Sequence, residues 1–158
     1  MKRKIKFRGK MIPEQVWIYG TLLRIPAPLV CLGKKEEDKY YIQFADPNYI
    51  PDWNMPYRMV QGQVDNNTIG QFTGLHDKNG KEIYEGDIVL YEDWEMAYEG
   101  GGNDSFINKG IIEYVECNCC FNVTERQTVE LQDVLYKDNE SLEVIGNIYD
   151  NLELLEGE

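Results

Sequence analysis

The stretch TIGQFTGLHDKNGKEIYEGDIVLY, residues 68–91, decides how the chain is organised. The run at 71–76 ends in Asp77-Lys78-Asn79-Gly80, where Asn and Gly tolerate the positive φ of a tight hairpin, and Lys81 to Tyr84 lead back. Glu85-Gly86-Asp87 then reverses the chain into Ile88 to Tyr91. Local chemistry therefore specifies a small β-meander whose Ile83, Ile88 and Val89 face a core. Because each distinctive residue here has a structural task, the stretch reads as a hinge between two β regions, 1–67 and 68–158. It does not read as a reaction centre.

Working back from the hinge, Lys2, Arg3, Lys4, Lys6, Arg8 and Lys10 alternate partly with Ile5 and Phe7, the period of a strand with one buried face. The cluster serves either as a phosphate-binding arm or, more simply, as the solvated face of an edge strand, where lysines discourage aggregation. A second strand runs from Val16 through Gly20 to Leu23, before Pro26 and Pro28. KKEEDK, residues 34–39, is a hairpin tip, and Tyr40 to Phe44 is the next strand. DPNYIPDWNMP, residues 46–56, has too many prolines for regular structure, so Tyr49, Trp53 and Tyr57 fall on or beside an irregular loop. Such aromatics anchor binding surfaces or pack down on their own domain; the second is the expectation here. Val60 to Val64 forms a further short strand.

Working forward, the pattern dissolves over 92–109, which is acidic and carries Gly100 to Gly102, so a long flexible loop is expected. Ile111 to Val115 and Phe121 to Thr124 read as a hairpin around the CNCC turn. Val129 to Tyr136 is assigned as a strand, and Leu142 to Tyr149 as another, bent at Gly146. Asp150 to Leu155 has room for one helical turn. The fold class is mainly β.

The chain has 158 residues, enough to bury about two-thirds of its unfolded surface without staples. Its apolar runs are too short to span a bilayer, and the lysine-rich start lacks an apolar signal region, so a cytoplasmic protein is expected. Three of its four cysteines, Cys117, Cys119 and Cys120, are crowded together, which suits reduced thiols better than disulfides. The net charge of −12 is divided unevenly. Residues 1–78 hold 12 Lys/Arg and 8 Asp/Glu, whereas residues 79–158 hold 4 and 20. The acidic part repels nucleic acid, and the opposite balances of the two parts make self-association an option.

The usual marks of catalysis are missing. His76 is the lone histidine and has no nucleophile to serve. CNCC lacks the second ligand pair of a structural zinc site, and Glu82, Glu85 and Asp87 do not follow the spacing of a calcium loop. Walker, dinucleotide and nucleophile-elbow motifs are absent from the sequence. A non-enzyme without metal or cofactor is therefore expected.

KIKFRGK, VWIYG, GQFTGLHDKNGKEIYEGDIV and EVIGNIYDNLELL together resemble the YopX family, small proteins of phages and prophages whose function is unknown. The likeness touches both ends and the middle of the chain. It implies an SH3-like β-barrel or roll for 68–158, with GDIV opening it and VIGNIY closing it. It also implies synthesis in a bacterial cytoplasm. The leading expectation is an accessory protein that binds another protein of host or phage. The alternative is nucleic-acid binding through Lys2, Arg3, Lys4, Lys6 and Arg8 with Tyr49, Trp53 and Tyr57.

Overall fold

The computed structural model describes residues 4–28, 37–96, 103–117, 119–124 and 142–155. The chain divides into two compact units, Met1–Gln71 and Phe72–Glu158. Strands dominate both, and among the described residues no sheet is closed into a barrel.

In the first unit β1 (Phe7–Lys10), β2 (Trp17–Ile25), β3 (Lys39–Ala45) and β4 (Met59–Val64) form an antiparallel sheet in which each strand lies beside the next. β1 also pairs on its other side with the start of β5 (Gly70–His76), through Phe7↔Gln71 and Arg8↔Gly70. It is therefore an interior strand, not the edge strand that its lysines suggest. An interior position is tolerated because only alternate residues are basic, while Phe7 and Gly9 turn to the apolar face. A bridge Met11↔Val64, with Ile12 N–H donating to Gln63 O at 2.8 Å and Asp65 N–H to Lys10 O at 2.9 Å, curls β4 toward the end of β1. Inside this curl Ile18, Ile42 and Val64 are buried, flanked by Phe7, Met11, Leu22, Tyr40, Phe44 and Ile69.

β5 passes from the first unit into the second. Its later residues pair with β6 (Glu82–Tyr84), and the register shifts between Phe72 and His76 around Gly74. The turn that joins them uses a positive φ at Gly80 alone, +79°; Asn79 does not adopt one. Asp77 replaces that need by accepting the N–H groups of Asn79 and Lys81, at 2.8 and 2.9 Å, in an Asx-type turn.

The second unit also holds an antiparallel sheet in the order β10-β7-β8-β9, made of β7 (Asp87–Met96), β8 (Asn103–Val115), β9 (Cys120–Val123) and β10 (Glu143–Asn147). The loop expected at 92–109 is in large part a hairpin arm: β7 and β8 stay paired from Ile88↔Ile111 out to Met96↔Asn103. A ladder needs only backbone partners, so a polar, acidic sequence does not prevent it. The glycines 100–102 and the strand assigned at 129–136 lie outside the described residues. β10 bulges between Val144 and Gly146, as Gly146 suggested, and Leu152–Leu154 is a 3₁₀ turn. The core of this unit comprises Ile83, Val89, Tyr91, Ile112, Phe121, Val123, Leu142 and Val144. Burying each large aliphatic side chain contributes about 1.5–3 kcal/mol.

Candidate binding surfaces of the first unit

Side chains alternate across a strand, and residues paired across an antiparallel ladder share a face. The register Arg8↔Tyr19 and Lys10↔Trp17 thus fixes which residues turn away from the Ile42 core. On that outer face Lys6 Nζ lies 5.5 Å from the centroid of the Tyr19 ring. The Arg8 guanidinium lies 4.8 Å from Trp17, and Lys10 Nζ 5.6 Å from the same ring. Each is a cation–π contact, worth about 0.5–1 kcal/mol where exposed. Arg8, between the two lysines on this face, is only 5% exposed. Lys6 and Lys10 are half-buried and Tyr19 is exposed. Lys4 is exposed; Lys2 and Arg3 lie outside the described residues. The ladder continues the face through Thr21↔Gln43, Leu23↔Tyr41, Tyr41↔Gln63 and Gln43↔Gln61, with Tyr41 Oη and Gln63 Oε1 3.4 Å apart.

The second surface is the loop between β3 and β4. Asp46 holds its base: its carboxylate accepts from Asn48 N–H at 2.9 Å and from both Nε and Nη2 of Arg58, and its own N–H donates to Arg58 O at 2.8 Å. The Arg58 hydrogen bonds, followed by that from Asn48, hold the Asp46 carboxyl below the usual carboxylate range. Arg58 in turn lies over the Tyr49 ring at 5.5 Å. Further along, Asp52 Oδ1 accepts from Asn54 and Met55 N–H at 2.8 and 2.7 Å. These turns present apolar side chains outward: Ile50 is 87% exposed and Trp53 92%, with Met55, Tyr57 and Met59 exposed as well. The loop does not pack down on its own unit as expected. Short Asx turns fix its backbone locally, so it does not need Trp53 as an anchor.

The remaining sequence candidates lie in the second unit. His76 is exposed and edge-on to Phe72 at 5.6 Å. Asp87 is buried, and its carboxylate accepts Tyr84 N–H at 2.8 Å. Glu82 Oε2 accepts from Tyr84 Oη at 2.6 Å. Cys117, Cys119 and Cys120 at the β8–β9 turn are thiols, not disulfides, and Cys119 takes a φ of +53°. Among the described residues no group of three or more His, Cys, Asp or Glu is placed to hold a metal ion. A shallow cleft of about 520 Å³ lies beside Ile12, Asp38 and Asp65. Asp38 is occupied there by Arg24 Nε at 2.6 Å and Ala27 N–H at 2.9 Å.

Sequence reasoning missed the pairing of cations with rings. The signal was present, since Lys4, Lys6, Arg8 and Lys10 share one parity and Trp17 and Tyr19 share another. Only the register between the two strands brings them together.

The model of the YopX protein family matches residues 6–156, nearly the whole chain. The chain belongs to the YopX family. Among solved structures it is similar to that described as the crystal structure of protein EF1440 from Enterococcus faecalis, at 23% identity and a TM-score of 0.53. The alignment covers 98% of this chain and 99% of that one, so the YopX chain and EF1440 share a fold over their full span. No curated protein matches. Among the described residues of this YopX protein, no helix is long and apolar enough to cross a membrane.

Proposed function

We propose that this protein is a non-enzymatic accessory protein of a phage or prophage that acts in the bacterial cytoplasm by binding another protein. The observation that carries the reading is the β3–β4 loop, where Ile50 and Trp53 stand 87% and 92% exposed on a backbone held by side-chain hydrogen bonds. Exposed apolar side chains on a pre-ordered loop lose little conformational freedom on binding, and Trp and Tyr are the usual anchors of protein interfaces. The phage setting is carried over from the family likeness. An SH3-like roll for the second unit is supported by β10 returning beside β7, next to the β7-β8-β9 meander.

Affinity capture from a bacterial lysate at physiological salt, with wild-type protein and Trp53→Ala/Tyr57→Ala side by side, tests the reading. A reproducible partner retained by the wild type and lost by the folded variant is the expected result. Recovery of no partner that depends on the loop overturns it.

A further inference from the structure

The backbone of β4 shows where a further strand can add. Asp46 N–H donates to Arg58 O at 2.8 Å, so at position 58 the backbone turns toward β3. Direction alternates along an antiparallel ladder, and Val60 and Gly62, opposite Phe44 and Ile42, turn the same way as Arg58. The N–H and C=O groups of Met59, Gln61 and Gln63 therefore point away from β3. At Gln63 that direction is already used, since its carbonyl accepts Ile12 N–H at 2.8 Å from the segment that follows β1. Met59 and Gln61 have no such cover among the described residues: β4 ends the sheet, and both residues are exposed. Two N–H and two C=O groups thus stand open within the stretch 59–61.

Sheet edges are ordinarily blunted by shortness, bulges, charge or proline. Among the described strands that end a sheet, β6 has three residues, β9 has four, and β10 has a bulge. β4 runs MVQGQV, six residues without a charge, a proline or a register shift. Its open groups are also self-complementary. A two-fold axis at Val60 sets Met59 opposite the partner's Gln61 and Gln61 opposite the partner's Met59, and every open group then takes part in one of four hydrogen bonds. An axis at Met59 leaves only two bonds within the strand. An axis at Gln61 sets Met59 against Gln63, whose carbonyl Ile12 already holds. We infer that a second copy of this chain adds antiparallel to β4 about an axis at Val60, so that the sheets of two first units become continuous.

Four backbone hydrogen bonds do not hold two chains by themselves, because each replaces bonds to water. Met55, Tyr57 and Met59, all exposed and at or just before the seam, add apolar area to it. A pairing this short belongs with weak, reversible interfaces. The net charge of −12 opposes it at low salt and is screened at higher salt. The inference goes beyond the partner-binding reading and rests on backbone groups that reading does not use.

Sedimentation equilibrium of the full chain tests it. The expected result is a monomer–dimer equilibrium within about 10–200 μM protein, tighter in about 0.5 M salt than in about 0.05 M. Met59→Lys/Gln61→Lys sets like charges opposite each other in both pairs and weakens the dimer at least about fivefold, as does Met59→Glu/Gln61→Glu. Mixing the two variants restores a dimer, now of unlike chains, because each lysine then faces a glutamate. Gln61→Pro removes an outward N–H and none that β3 receives, so it too yields monomer. Circular dichroism confirms the fold of each variant, and the mixed dimer shows independently that both charged variants are folded. The lysine variant retains any lysate partner that depends on Trp53, so the two readings fail separately. The proposal is overturned by a chain that stays monomeric at about 0.5 mM, by a dimer that the lysines leave unchanged, or by charged variants that do not pair when mixed. A dimer that loosens as salt rises also overturns it, since that marks attraction between the basic and acidic parts of the chain.

Discussion

The Asp77 carboxylate accepts the backbone N–H of Val144 at 3.1 Å, across 67 residues of sequence. The same carboxylate takes the N–H groups of Asn79 and Lys81 at 2.8 and 2.9 Å, so one buried side chain closes the β5–β6 turn and fastens it to β10. Lys78 N–H donates to Leu142 O at 2.9 Å beside it, and Lys78 Nζ lies 2.6 Å from Glu143. Asp77→Ala leaves the buried N–H of Val144 without its acceptor and hands the part-buried N–H groups of Asn79 and Lys81 to water, and an unsatisfied buried group costs about 1–3 kcal/mol. The expected loss is about 2–3 kcal/mol, measured as a fall in the urea midpoint at unchanged m-value. Asp77→Asn keeps the turn through its carbonyl but presents an amide to Val144, and loses less.

That carboxylate also sets the acid limb of stability. Burial alone would raise its pKa, but the hydrogen bonds from Val144, Lys81 and Asn79, with the Lys81 charge, outweigh burial and hold it below the ordinary aspartate value. In the unfolded chain the group titrates near about 3.9. Its contribution is therefore complete above that value and is lost as the pH falls through the lower folded value. Urea titrations between about pH 6 and pH 2 should show wild type losing stability more steeply than Asp77→Asn below about pH 4. Parallel curves would show that Asp77 is not what titrates.

Two turn glycines separate backbone strain from steric conflict. Gly80 and Gly86 both have positive φ, +79° and +81°. A Cβ at Gly80 meets nothing within 4 Å, whereas at Gly86 it comes within 3.0 Å of the Tyr149 ring. Gly80→Ala should cost about 1–2 kcal/mol, the strain of the left-handed region alone. Gly86→Ala should cost more, and the excess should shrink in a Tyr149→Ala background, where the obstruction is removed. A double-mutant cycle by thermal or urea unfolding measures that coupling.

What was legible in the sequence follows from the range of the interactions involved. Gly80, Gly86 and Gly146 mark turns and a bulge through their own backbone freedom, so the β5–β6 hairpin, the turn into β7 and the bend in β10 could be read directly; the meander expected over 68–91 is not completed, because β7 pairs with β8 and β10 in the other sheet and not with β6. The hairpin arm at 92–96 and 103–109 could not, because backbone pairing between two polar runs leaves no apolar period. Neighbours outside the local sequence decide whether a strand is at an edge, which is why β1 reads as an edge although β2 and β5 flank it. The same holds for Asp77, whose turn role is local but whose bond to Val144 spans 67 residues. For the candidate surfaces, the residue types of the loop were visible in the sequence. Their outward projection depended on which of Asp46, Asp52 and Arg58 satisfied the loop backbone.

If the β3–β4 loop serves recognition, its exposed side chains contribute little to folding, and this can be measured without knowing any partner. Trp53 is 92% exposed, and the loop backbone is held by Asp46, Asp52 and Arg58 through bonds in which Trp53 takes no part. Trp53→Ala should therefore change stability by no more than about 0.5 kcal/mol, as at ordinary surface positions. Ile42 in the same unit is fully buried, and Ile42→Ala should cost about 2–5 kcal/mol through lost burial and the cavity left behind. Asp46→Ala releases Arg58 and the Asn48 turn together, so it should leave the core intact and raise the proteolytic cleavage rate within 46–58. A Trp53→Ala loss comparable with that of Ile42→Ala would mean that the indole packs on its own unit in solution and is not presented to a partner.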